Sequence, residues 1–192
     1  MTRFLTAIAF LGSALNLFGA RADIIEGNPS SPAKVFIHEV LQAGDCLNFR
    51  IMLDEKILPR YGKRVAFLHR DLPLPRHNWA RYAAIAGRWV YEQSPTLGIT
   101  FRREILSEQD HITPENLTPW LREFARRNKL DQDAIVASMT DPHLVAIVDQ
   151  DYQGATARGV NQVPTIFIGN QSFAETIIYE DIAKALDVEL GK

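Results

Sequence analysis

One cysteine occurs among the 192 residues, Cys46, in the stretch LQAGDCLNFR. A single thiol closes no internal disulfide, so the fold stands on its core alone. Two-thiol oxidation within the chain is excluded by stoichiometry. Histidine is sparse as well: His38, His69, His77, His111 and His143 show no metal-ligand spacing, and beside one cysteine no zinc site is expected. A glycine-rich phosphate loop, a nucleophile elbow and a paired-histidine motif are all absent, so no cofactor is expected. No apolar run reaches the about 20 residues of a membrane span. Neither charge sign dominates, with a net of −2, which leaves no electrostatic footprint for nucleic acid or an anionic surface. Internal repeats and low-complexity runs are missing too. What remains is ordinary globular material, 46% apolar and 23% charged, long enough for one substantial core or a core plus a subdomain.

The first 22 residues, MTRFLTAIAFLGSALNLFGARA, stand apart. An early Arg3 precedes an apolar stretch from Phe4 to Phe18, and small residues, Ala20 and Ala22, close it before Asp23. This is the layout of a secretory signal peptide cleaved after Ala22. An uncleaved membrane anchor is the alternative, and Asn16 and the shortness of the run count against it. Cleavage removes Arg3 and Arg21 but no acid, taking the net charge from −2 to −4. Export places the chain in an oxidising compartment, where Cys46 is either buried or a free thiol.

Along the mature chain, Asp23 to Lys34 is rich in Pro, Ser and Gly and reads as a linker or extended lead-in. Val35 to Val40 has strand composition. Asp45 is a candidate N-cap, and Leu47, Ile51, Leu53, Ile57 and Leu58 follow at mostly helical spacing. Val65 to Leu68 reads as a buried central strand. From Asn78 to about Ala157 the pattern is helical, with Thr113-Pro114-Glu115 as one helix start and Gly159 as the final stop. Trp79, Trp89 and Trp120 are expected to pack these helices, and the pairs Arg102-Arg103 and Arg126-Arg127 to lie on their solvated faces. Pro164 to Phe173, with Gly169-Asn170 at its turn, is a hairpin signal, and Tyr179 to Leu190 forms a last helix. The order predicts a three-layer α/β domain interrupted by helices.

These pieces resemble the bacterial DsbA-like thiol:disulfide oxidoreductases of the thioredoxin superfamily. GNPSSPAKVFIHE is similar to that family's lead-in and first strand. ILPRYGKRVAFLHRDLPLPRHNWARYAA resembles its helix end, second strand and entry into the insertion, and GATARGVNQVPTIFIGNQSF its final segment. The resemblance implies a thioredoxin-like fold, residues 23–75 and 156–192, with an inserted helical subdomain over 76–155. It implies a cis peptide at Val163-Pro164, against a base rate of about 5–6% for such bonds. The exposed backbone of Val163 would then pair with an extended peptide; a trans strand edge is the alternative. It further implies that Glu39 relays protons behind the active helix, where an exposed strand-end carboxylate is the plainer reading.

The departure falls at the chemistry. The family carries C-x-x-C at the helix start, and here Cys46 stands alone. In one register Cys46 is the first cysteine and Phe49 fills the partner position; in the other it is the second, and Ala43 does. Spacing from Glu39 and to Pro59 favours the first. Either places the thiol near a helix N-terminus, where a pKa of ~8.5 falls to ~3.5–7.5. Asp45 opposes that shift, so the thiol should be less acidic than a dedicated oxidant's. The leading expectation is an exported, periplasmic protein exchanging disulfides with protein or peptide thiols through Cys46, with glutathione or a partner releasing the mixed disulfide. The competing expectation is a non-catalytic chaperone or adaptor that keeps the peptide groove. A glutathione-linked transferase or isomerase is third, disfavoured by the leader. Membrane contact would follow only from an uncleaved leader.

Overall fold

The computed structural model describes residues 23–191; the predicted signal peptide lies outside the described residues. Its centre is a five-stranded mixed sheet in the order β1-β3-β2-β4-β5. Strand β1 is Ile24–Gly27, β2 is Lys34–Glu39 and β3 is Ala66–Asp71; β4, Thr165–Ile168, and β5, Gln171–Phe173, form the hairpin. Only β2 and β3 run parallel, with Val35 opposite Phe67 and Glu39 opposite Asp71. The helical segment between β2 and β3 is the crossover of that pair, and the helices between β3 and β4 are the insertion, so a thioredoxin-like fold with a helical insertion is what the chain forms.

Alternation along β2 sends Val35 and Ile37 to one face, where they meet Phe49, Leu53, Ile57, Ile166, Ile182 and Leu186. That core is covered by α1 (Gly44–Met52), its π-helical continuation Leu53–Ile57 and α2 (Leu58–Tyr61). The π turn closes with the Leu58 N–H donating to the Leu53 carbonyl, directly before Pro59, which has no N–H to continue the ordinary ladder. The insertion comprises α3 (Ala80–Gln93), α4 (Pro95–Ser107), α5 (Leu117–Arg127), α6 (Gln132–Ser138) and α7 (Pro142–Thr156). It packs a second core around Trp79, Phe101, Leu121 and Phe124, and Trp89 and Trp120 lean on its edge. The last helix, α8, is Tyr179–Glu189. Gly159 leaves α7 in the left-handed region (φ 75°), and the Val160 N–H caps the Ala155 carbonyl, as glycine helix stops do.

Four expectations fail, each for a local reason. The lead-in is not a linker throughout: Ile24–Gly27 pairs antiparallel with β3 and buries Ile24 completely, a strand too short for alternation to reveal. Asp45 is not the N-cap of α1; Ala43 is, with no side-chain bond, and Asp45 lies in the first turn, where its charge faces the helix dipole. Thr113 does not start α5, because Thr113 and Asn116 spend their side chains on each other's N–H groups and the helix begins at Leu117. Arg102 is not solvated but only 1% exposed.

Candidate functional site

The C-terminal end of β2, the start of α1 and the segment before β4 converge at one end of the sheet. Cys46 is the third residue of α1, its N–H bonded to the Ala43 carbonyl at 3.0 Å. The side chain is fully buried within the insertion-facing core. Its Sγ accepts a hydrogen bond from the Val40 N–H at 3.4 Å. Burial pushes the thiol well above its ordinary range, and the charge of Glu39 adds to this, against the weaker help of the Val40 N–H. The helix N-terminus is therefore overruled by desolvation. Ala43, at the N-cap, is half-buried. Phe49, three residues on and so on a neighbouring strip of the same helix, is buried in the other core.

Glu39 is not an exposed strand end. It is 2% exposed, and its Oε1 accepts from Arg102 Nε at 3.1 Å and Nη2 at 2.9 Å. The same oxygen lies 2.6 Å from His69 Nδ1. Burial favours the protonated acid, but the Arg102 and His69 charges outweigh it and hold Glu39 far below the carboxylate range. Such a group stays ionised and gives up no proton near neutrality. Burial likewise pulls His69 down, and Glu39 and Glu26 overcome it, so its pKa is raised.

Around this pair the charges continue in both directions. Arg102 Nη1 reaches Asp71 at 2.9 Å, Arg88 Nε reaches the other Asp71 oxygen at 2.7 Å, and Arg88 Nη2 meets Asp151 at 2.5 Å. On the other side His69 Nε2 lies 3.3 Å from Glu26, which pairs with Arg50 at 2.7 Å. Arg50 holds Asp54, and Arg103 closes on both Asp54 and Glu26. The insertion is thus tied to the sheet by alternating charges, none of which sequence reasoning assigned beyond Glu39. A signal was present: Arg102 falls within the apolar stripe Phe101, Ile105 and Leu106 of α4, and Arg88 within that of Ala84 and Gly87 on α3.

The Val163-Pro164 peptide is cis. Both residues precede the β2–β4 ladder, whose first pair is His38 with Thr165, and the Thr165 hydroxyl donates to the Gln162 carbonyl at 2.8 Å. Beside Pro164 opens a groove of about 280 Å³, floored by Phe49, Met52, Pro164 and Ile177 and rimmed by Asp45 and Glu175. Among the described residues no cluster of His, Cys, Asp and Glu has the makings of a metal site, and no helix is long and apolar enough to cross a membrane.

A family model described as thioredoxin matches residues 20–188. This chain belongs to the thioredoxin family. No curated protein matches it. Among solved structures, it is similar to α-DsbA1 of Wolbachia pipientis at 20% identity and a TM-score of 0.76, covering 91% of this chain and 94% of that one. It is also similar to oxidised BdbD of Bacillus subtilis, at 18% identity and a TM-score of 0.73 over 88% and 94% of the two chains. The thiol-disulfide exchange protein α-DsbA2 of Wolbachia pipientis matches at 21% identity and a TM-score of 0.71, over 85% of each chain. At these identities the likeness is one of fold, and it is to DsbA-like members of the thioredoxin family.

Proposed function

We propose that this thioredoxin-family chain is an exported, periplasmic DsbA-like protein that docks extended segments of other proteins along the Val163-Pro164 loop and does not turn over disulfides. The observation that carries this reading is the state of its one thiol. An attacking sulfur must reach its target, and Cys46 has no exposed surface. Its burial at the third helical position, below a half-buried Ala43 at the N-cap, supports the second register. Ala43 then stands where the family's attacking cysteine would be, Cys46 is the remaining resolving partner, and Phe49 is packing. This reverses the preference drawn from spacing. The leader MTRFLTAIAFLGSALNLFGARA supports export. The apolar-floored groove beside Pro164, just ahead of the first β2–β4 pair, supports docking, since an extended peptide binds through its main chain with pockets for its side chains.

A second reading keeps single-thiol exchange. Its favouring observation is the Val40 N–H on Cys46 Sγ, which stabilises a thiolate. In that chemistry Cys46 would attack oxidised glutathione, forming a protein–glutathione disulfide and releasing one glutathione thiolate. One comparison separates the two: alkylation and glutathionylation of Cys46 by mass spectrometry, in the native and the urea-unfolded chain, beside binding of labelled extended peptides. Docking predicts a native thiol modified orders of magnitude more slowly than the unfolded one, and peptide binding that survives Cys46→Ala. Rapid native glutathionylation with disulfide reduction lost in Cys46→Ala would establish exchange instead.

A further inference from the structure

The groove beside Pro164 has an uneven chemistry. Its floor is apolar, from Phe49, Met52, Pro164 and Ile177, while the ionised groups lining it are the carboxylates Asp45 and Glu175, with no lysine or arginine among the lining residues. At about 280 Å³ it is smaller than the roughly 300–1,000 Å³ of small-molecule sites, a size for a side chain or two. Glu175 is held there unusually. Its φ of 61° lies in the left-handed region that residues with a Cβ rarely adopt, and such conformations cluster where a ligand is gripped. Its Oε1 accepts a hydrogen bond from Gln162 Nε2 at 2.6 Å, which fastens it to the residue before Val163. A carboxylate offers about four acceptor sites, so that one contact leaves capacity for a second donor. Asp45 is exposed on the first turn of α1.

We infer that the groove selects extended segments in which an apolar side chain is flanked by lysine or arginine, an inference that rests on the docking function proposed above. The apolar side chain enters between Phe49, Met52 and Ile177 while the segment pairs with Val163. The neighbouring cation meets Glu175 on one side or Asp45 on the other. Charge complementarity of this kind sets partner choice more than raw affinity.

The test is fluorescence anisotropy of the purified chain with labelled decapeptides of one leucine–serine pattern, carrying two lysines, two glutamines or two glutamates. The lysine peptide should bind about tenfold more tightly than the glutamate peptide, since exposed pairs contribute a few-fold each. That gap should shrink at high salt. Glu175→Gln, which keeps the acceptor for Gln162, and Asp45→Asn should each reduce lysine-peptide binding about threefold and leave glutamine-peptide binding unchanged. Equal binding of the three peptides, weakened together by Val163→Pro, would overturn the selectivity and leave docking intact. Binding of none would overturn both.

Discussion

Replacing Arg102 with methionine keeps most of the side-chain volume in the α4 stripe and removes the guanidinium from between Glu39 and Asp71. Both carboxylates are at most 2% exposed, so neither recovers water in exchange. Breaking a buried pair from one side ordinarily costs about 3–5 kcal/mol. Here each acid keeps one partner, Glu39 its 2.6 Å contact with His69 and Asp71 its 2.7 Å bond from Arg88. The expected loss is therefore at the lower end, about 3 kcal/mol. With a urea slope of ~2 kcal/mol per molar, the unfolding midpoint should fall by roughly 1.5 M. The loss should also depend on pH in a set direction. Without Arg102 the largest influence holding Glu39 ionised is gone and its folded pKa rises, so protonation of Glu39 relieves part of the loss as pH falls. The gap measured by urea unfolding should narrow from pH 7 to pH 5, and Glu39→Gln added to Arg102→Met should recover part of the loss. A gap under 1 kcal/mol, or one that ignores both pH and the second substitution, would refute the account of Glu39 as a carboxylate held ionised by Arg102.

Glu26 is pushed up by burial but drawn down further by His69 and Arg50, from an ordinary 4.5 to about 2; this contributes about 3 kcal/mol above pH 4.5 that is lost as pH falls towards 2, and Glu26→Gln should flatten the acid limb of a stability–pH curve. His69 has a raised pKa, so its contribution is complete below its unfolded value near 6.5 and fades as pH rises through the folded one; His69→Gln should be most costly at pH 6 and least at pH 9 in thermal unfolding. Ala43→Cys should form a disulfide with Cys46, seen as a two-dalton mass loss and a gain of insulin-reducing activity, because the two positions lie one turn apart at the helix start. Phe49→Cys, equally spaced but inside the helix where Ala43 is its extended N-cap, should form none, since position 49 packs into the other core; the reverse result would restore the first register.

The succession of elements from β2 to α8 and the hairpin were readable because each rests on local pattern: Val35 and Ile37 alternate, Gly169-Asn170 turns, Gly159 stops a helix. The family resemblance then supplied the positions of Glu39, Cys46 and Pro164. Environment was the part that composition hides. Whether a thiol at a helix start is acidic depends on what covers it, and Cys46 is buried in a core whose members, Leu72, Trp79 and Val163 among them, are far away in sequence. Arg102 reads as one half of a surface basic pair until Glu39 and Asp71, from two strands, are known to face it. The same arginine explains why the exposed reading of Glu39 was wrong and why its relay role finds no support.

The alternating ion pairs from Asp151 through Arg88, Asp71, Arg102 and Glu39 to His69, Glu26 and Arg50 have a consequence for how this chain can change. Apolar surfaces tolerate a stranger of similar shape, whereas a buried charge accepts only its opposite at the same spot. Grafting onto this sheet an insertion without such arginines would strand Glu39 and Asp71, and grafting this insertion onto a sheet without such acids would strand Arg102, while Arg88 would keep only Asp151 of its own insertion. The two halves are thus inherited together: recombination can redraw the groove around Pro164 freely, but it can cut between sheet and insertion only by rewriting both sides of the seam at once.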